Sequence, residues 1–284
     1  MESWVGTLLV GALIYGAPLV LATMGGYCSE RGGVINIGLE GKMLIAAAVT
    51  ALVGAGTENS YFGLCAGIGS AVLLSWFHWL LTQTYQIDHI VSGMAINAIA
   101  IGSSNFLDKQ FTDPDRAHGI PTLPLNAYYV AALLAPLALA WFTHRTRGGL
   151  RLLAVGSDPS KSRQMGVKPL FVRFYGLTVT GVLCGLSGAL IFSNSKWFTD
   201  GMTAGRGFIA LAALILGGWR PIPAAIACLV FGFFDSMQII FQGTRIGGVV
   251  VPSEFWSSLP YVITVVALAG FLGKSRVPSG LGKP

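Results

Sequence analysis

Four charged side chains sit in or beside apolar stretches and are the first candidates for chemistry: Glu40 and Lys42 in NIGLEGKMLIAAA, Arg206 in TAGRGFIALAAL, and Asp235 in FGFFDSMQII. A charge at membrane depth is costly to keep, so such a residue marks a functional position by default. An ion-coupled carrier would hold several acids at that depth as a proton or sodium relay. Asp235 alone is thin support for one, and its plainer role is a carboxylate bonded to a neighbouring helix. The segments around Glu40 and Arg206 share a pattern: each places one charge between glycines ahead of a helix of small apolar residues, and the two charges are opposite. They read as related elements of an internal repeat that border one pore, and direct pairing requires the first to be a broken helix inside the membrane.

The other reactive side chains form no enzyme constellation. Cys28, Cys65, Cys184 and Cys228 are scattered, with no CxxC pair and no histidine at metal-ligand spacing, so they read as packing thiols. His78, His89, His118 and His144 are isolated, and His78 between Trp76 and Trp79 has the look of a membrane-interface belt. There is no HExxH and no GxSxG. Gly273-Lys274-Ser275 ends like a phosphate loop, but the required first glycine is Leu268. The chain therefore cradles no ATP, and its energy source is an ion gradient or another subunit.

The elements that position these residues are membrane helices. The chain has 284 residues, 53% hydrophobic and 11% charged, against about 25% charged in a soluble domain. Charge-free windows run over 3–29, 43–57, 59–87, 89–107, 117–144, 174–195, 207–219 and 255–273. In hydrocarbon only helices and closed barrels satisfy their own backbone groups. Runs such as LLSWFHWLL are apolar all round, which excludes alternating barrel strands. The expected class is all-α and polytopic, with helices at 5–25, 41–56, 61–82, 89–107, 126–143, 174–193, 207–218, 221–241 and 258–273. The leader carries Glu2 and no Lys or Arg, so residues 4–26 read as a retained first helix. Cys28–Glu40 is too polar for a plain span; if it crosses as a broken helix, the count rises from nine to ten and the N-terminal side flips.

One transmembrane domain follows, divided as an N-terminal helix block 1–143, a loop 144–173, a C-terminal helix block 174–273 and a tail 274–284. Arg145, Arg147, Arg151, Lys161, Arg163, Lys168 and Arg173 crowd the loop beside the single acid Asp158, and Lys274, Arg276 and Lys283 sit in the acid-free tail. The positive-inside rule puts loop and tail in the cytoplasm. Residues 217–221 then form a cytoplasmic turn, and 108–125, 194–206 and 242–257 become external loops. A nucleic-acid surface would interleave aromatics with the charge, and only Phe171 borders this one, so nucleic acid is excluded as a partner. The glycines at Gly63/Gly67 and Gly181/Gly185 have helix-packing spacing. Gly32, Gly33, Gly38, Gly205 and Gly207 could instead break helices beside a solute path.

The most informative stretch is GGLRLLAVGSDPSKSRQMGV, Gly148 to Val167. Asp158 followed by Pro159 is a helix start, because the carboxylate caps free N–H groups and proline suits the first position. Gly166 can end that helix in a left-handed turn. A short helix over Pro159–Met165 is expected, exposed and available to be held. The stretch resembles the cytoplasmic coupling segment of ABC-importer permeases of the ribose and branched-chain amino acid type, with Asp158 where that family usually has Asn and Lys161-Ser162 in place of its small pair. SERGGVINIGLEGKMLIAA, DHIVSGMAINAIAIG, MTAGRGFIALAALILGGWRPIPA, FGFFDSMQ and LPYVITVVALAG are similar, in the same order, to the nucleoside-type permeases of that family.

The resemblance implies a bacterial plasma-membrane permease that translocates nucleosides or simple sugars and performs no catalysis. Its partners would be a separate ATPase dimer holding ATP and Mg, a second homologous permease, an external nucleoside-binding lipoprotein, and membrane lipid. Gly149, Arg151, Gly156, Asp158, Pro159, Lys161, Met165 and Gly166 would couple to the ATPase. Asn36, Glu40, Asn97, Asp235 and Gln238, which suit a ribose or base edge, would line the path. The rival is a stand-alone carrier or channel driven by an ion gradient.

Overall fold

The computed structural model describes residues 4–111, 122–241, 245–246, 249–250, 255–256, 258–259, 262, 265 and 277–283. The first block holds α1 (Trp4–Arg31), α2 (Leu39–Thr57), α3 (Ser60–Trp79, continued by a π-turn at Leu80–Thr84), α4 (His89–Phe111) and α5 (Leu125–Arg145). Two short helices follow, α6 (Arg147–Ser157) and α7 (Pro159–Gln164), then α8 (Pro169–Ser195), α9 (Arg206–Leu216) and α10 (Pro221–Phe241). A two-residue antiparallel pair, Arg245–Ile246 against Val249–Val250, comes after α10. Among the described residues seven helices are long and apolar enough to span a bilayer, and α9 is apolar but only 11 residues long. The expected span at 258–273, tail residues Lys274 and Arg276, and much of the loops at 108–125 and 242–257 lie outside the described residues.

Local sequence starts several of these helices. The side chains of Asn59, Asp88, Thr146 and Asp158 accept backbone N–H groups at the first turns of α3, α4, α6 and α7, filling donors that no helix satisfies by itself. Burial then sorts the helices. In the most apolar stretch of α2 and of α8, 72% of residues are buried, against 17% in α5, so the former are central and the latter peripheral. Central α1 packs against α5, α8, α9 and α10, with Leu19, Met24, Tyr27, Leu214, Cys228 and Phe231 in its principal core.

Close approach of backbones explains the glycine spacing. A Cβ on Gly63 would lie 2.8 Å from the Thr50 carbonyl of α2, and one on Gly181 would lie 2.6 Å from Val72 Cα of α3. Without side chains there, α2, α3 and α8 sit nearly in backbone contact, the usual means of association in lipid. Pro18 removes an N–H from the middle of α1 and so frees the carbonyl of Ile14. Asn194 of α8 donates to that carbonyl at 3.3 Å, which satisfies it without water.

Helix α1 is longer than expected. It runs through Glu30 and Arg31 because both find partners in the 217–220 turn: Trp219 Nε1 donates to Glu30 at 2.6 Å, and Arg31 donates to the Trp219 carbonyl at 2.6 and 2.9 Å. The end of the bundle where this happens also carries α6 and α7. Residues 32–38 turn back from it without helical structure, and α2 begins inside the bundle. At the opposite, far end α8 stops at Ser195, and residues 196–205 turn inward to the start of α9. The α9 helix is about 16 Å long at 1.5 Å per residue and ends at the 217–220 turn. Its first residue is therefore near mid-depth of a hydrocarbon core about 30 Å thick.

Candidate functional site

The crossover at residues 32–38 is irregular backbone inside an apolar bundle, where every polar group needs a partner. The chain supplies them one by one. Arg173 donates to the Gly32 carbonyl at 3.2 Å, His89 Nδ1 accepts the Ile35 N–H at 3.2 Å, and His78 Nε2 lies 3.2 Å from the Ile35 carbonyl. Asn97 donates to the Ile37 carbonyl at 3.2 Å and accepts the Gly41 N–H at 2.8 Å. Asn36 accepts from the Lys42 ammonium at 2.9 Å and donates to Ser29 at 3.2 Å. His78 and His89 thus serve the crossover, and His78, expected at an interface belt, is fully buried. Its Trp neighbours face α8 instead, where Trp76 stacks on Phe174 and both indoles donate hydrogen bonds.

At mid-depth the two broken elements meet. Glu40, in the first turn of α2, accepts the N–H groups of Gly205 at 2.8 Å and Gly207 at 2.6 Å, so one carboxylate caps the N-terminus of α9. Gly205 sits at φ +80°, a conformation that favours glycine, and a Cβ on Gly207 would run into the Glu40 backbone. The negative charge faces the positive end of the α9 dipole. The link is therefore carboxylate to amide and not carboxylate to guanidinium: Arg206 donates instead to the Met202 carbonyl at 3.1 Å. Asn97 does for the start of α2 what Glu40 does for α9.

Above this junction a cavity of about 310 Å³ opens toward the far end, lined by Tyr15, Asn194, Ser195, Thr199, Met202 and Arg206 among others. Asp235 of α10 is half-buried within electrostatic reach of Arg206, and Gln238 lies one turn further on, also half-buried. Tyr15 also borders a second cavity of about 490 Å³ between α1 and α10, with Thr7 and Ser236.

At the other end, α7 has the capping that its sequence foretells. Asp158 accepts the Lys161 N–H at 3.0 Å, Pro159 opens the helix, and Gly166 sits at φ +81° just past Met165. Together with the Lys161 ammonium 3.4 Å away, that bond holds the Asp158 carboxyl below its usual range. Lys161, Met165, Gly166 and Arg151 are exposed, Met165 at 83%. Gly149 and Gly156 point the other way. Both are buried on α6 with Leu152 and Val155, and a Cβ on either would strike backbone, of Phe142 and of Arg31 respectively. They hold the loop to the bundle and do not face outward.

Of the expected path residues, Asn36, Glu40 and Asn97 gather around the crossover, all with their polar groups engaged, while Asp235, within electrostatic reach of Arg206, and Gln238 stand apart on α10. Helix α6 was not foreseen, although Gly149, Leu152, Val155 and Gly156 mark one face of it. Arg173, expected as a loop charge, is in the second turn of α8 and only 2% exposed. Tyr15 and the cavity had no sequence signal.

A half-length helix capped at mid-depth by a neighbouring full-length one, in a multi-pass bundle with a capped helix exposed at one end, fits a membrane transport protein. The chain belongs to the family described as branched-chain amino acid transport system / permease component, which it matches over residues 8–268. It is 33% identical over 310 residues to the guanosine ABC transporter permease protein NupQ of Bacillus subtilis, covering 98% of this chain and 95% of that one. It is 35% identical over 303 residues to the nucleoside ABC transporter permease protein NupC of Lactococcus lactis, covering 97% and 95%. A solved chain described as an inward-facing conformation of a metal-chelate type ABC transporter shares the fold, with a TM-score of 0.55, 16% identity and coverage of 94% and 87%. The protein is a permease subunit of an ABC importer.

Proposed function

We propose that this subunit carries nucleosides across a bacterial plasma membrane, that its α6–α7 end is cytoplasmic, and that it performs no catalysis itself. A separate ATPase dimer binds ATP and Mg and supplies the power stroke, a second homologous permease completes the pore, and an external lipoprotein delivers the solute. The observation that carries the reading is α7: a capped, solvent-exposed helix with Lys161, Met165 and Gly166 presented outward, joined through Val167 and Lys168 to central α8. Arg145, Arg147, Arg151, Lys161, Arg163 and Lys168 crowd that end, as a cytoplasmic face requires. Nucleoside as the cargo is supported by the two relatives named for it.

ATPase closure moves α7, and α8 and α6 move with it because both are continuous with it. Gly156 of α6 lies on the end of α1, so the motion reaches the crossover and, through Glu40, the start of α9. The solute passes the Tyr15–Arg206 cavity, where an aromatic ring can stack on a base and Arg206 with Thr199 can donate to it. The rival reading, an ion-driven carrier, needs several free acids as a relay, whereas Glu30 and Glu40 are bonded internally and Asp235 has the Arg206 cation within electrostatic reach. Affinity purification from native membranes decides between them: an importer brings down two ATPase copies with this chain, and a chain that transports nucleoside alone, with uptake abolished by ionophores, contradicts the proposal.

A further inference from the structure

We propose that Pro278–Lys283 is a strap that fastens the coupling end of the loop to the crossover, with Arg173 as its positioning residue; the inference rests on the permease reading above. On one side the strap covers carbonyls at the end of α6 that no helix satisfies. Gly280 N–H donates to the Gly156 carbonyl at 2.9 Å, and the Ser279 hydroxyl donates to the Ser157 carbonyl at 2.7 Å. On the other side Gly282 N–H donates to the Gly33 carbonyl at 2.9 Å. Arg173 then locks the arrangement from within. Its guanidinium donates to the Lys283 carbonyl at 2.6 Å, to the Gly32 carbonyl at 3.2 Å and to Gln83 Oε1 at 2.6 Å.

Within four residues, therefore, the strap is hydrogen-bonded to residues 156–157, immediately before α7, and to Gly33 in the crossover, while Arg173 bridges its Lys283 carbonyl to Gly32. Gly156 also packs closely on the Arg31 carbonyl, and the strap adds directional hydrogen bonds to that contact. The strap is bonded on both sides and transmits displacement. Pro278 and Gly280 are buried in this position, and Leu281 packs on the principal core, so the segment is seated and not merely draped. A shift of α7 consequently pulls on Gly33 and, six residues later, on the start of α2 with Glu40. Arg173 touches no solute and acts through the strap.

The test is coupling, read as nucleoside taken up per ATP hydrolysed by the whole transporter. Gly280 has no left-handed φ, so a substitution there probes space alone: its Cβ would lie 2.8 Å from the Gly156 carbonyl and 3.0 Å from Pro159 Cδ. Gly280→Val lifts the strap. The expected result is normal assembly with the ATPase, continued basal ATP hydrolysis and an uptake-to-hydrolysis ratio at least about tenfold lower, a loss of about 1.4 kcal/mol of coupling. Arg173→Lys, whose donors all sit on one nitrogen and cannot span acceptors now reached by Nε, Nη1 and Nη2, lowers the ratio in the same direction. A ratio equal to wild type in both variants overturns the strap. A Ser157→Cys/Ser279→Cys pair in a Cys65→Ser background replaces the hydroxyl–carbonyl bond with a covalent link between the same two residues and covers the case in which those variants do not insert. Oxidation should leave uptake intact, because strap and α6 move as one, and reversible loss of uptake on oxidation overturns the proposal. Absence of ATP-driven uptake by the wild-type complex would instead overturn the permease reading itself.

Discussion

Replacing Glu40 with Gln isolates the mid-depth junction. The carboxylate accepts two N–H groups, from Gly205 and Gly207. Glutamine offers one acceptor oxygen and one NH2, so one of these donors is left facing another donor. Losing a charge-assisted bond costs about 1.5–3 kcal/mol, and removing the negative charge from the α9 N-terminus adds about 0.3–1 kcal/mol. The sum, about 2–4 kcal/mol, makes opening of the first turn of α9 roughly 30 to 700 times more frequent. Hydrogen exchange followed by mass spectrometry on peptides spanning residues 203–210, in lipid nanodiscs, reads that opening directly. Arg206→Gln is the control and should have the smaller effect, because Arg206 bonds the Met202 carbonyl and not Glu40. Exchange in the Glu40→Gln protein within about twofold of wild type, under about 0.5 kcal/mol, would refute the capping account. An equal effect of both substitutions would show an ion pair in its place.

Three further outcomes are expected. Asp158→Ala removes the α7 cap at about 1 kcal/mol, and Gly166→Val forces a branched residue to φ +81°; in both, ATP hydrolysis should continue while uptake per ATP falls. Asn97→Leu strands the Gly41 N–H and the Ile37 carbonyl, at about 1–3 kcal/mol each, and should lower the melting temperature of the purified subunit in detergent. Tyr15→Ala should raise the KM for nucleoside uptake several-fold and leave solute-independent ATP hydrolysis unchanged, measured side by side in proteoliposomes.

What could be read from the sequence was local. Charge-free windows identify spans because composition decides what lipid tolerates, and α7 is legible because its cap, its proline and its terminal glycine are neighbours in the chain. The pairing of the Glu40 and Arg206 segments also follows from pattern, though its chemistry does not. The sequence displays two opposite charges, while the structure joins the acid to the amides on either side of the arginine. Helix α1 could not be followed to Arg31, because Glu30 and Arg31 are tolerated only through Trp219, 189 and 188 residues away. Arg173 looked like one more loop cation because its acceptors lie on three distant segments. Asn36 and Asn97 looked like solute ligands because a polar side chain in a span reads the same whether it faces a pore or repairs irregular backbone.

The most direct test of the account is uptake by the reconstituted transporter. Proteoliposomes should contain this chain, its sister permease, the ATPase and the binding lipoprotein, with radiolabelled guanosine supplied on the lipoprotein side. Accumulation that requires ATP at the α7 side, stops with vanadate and ignores ionophores is the predicted result. Accumulation by this chain alone, without ATPase and abolished by collapsing an ion gradient, would contradict it.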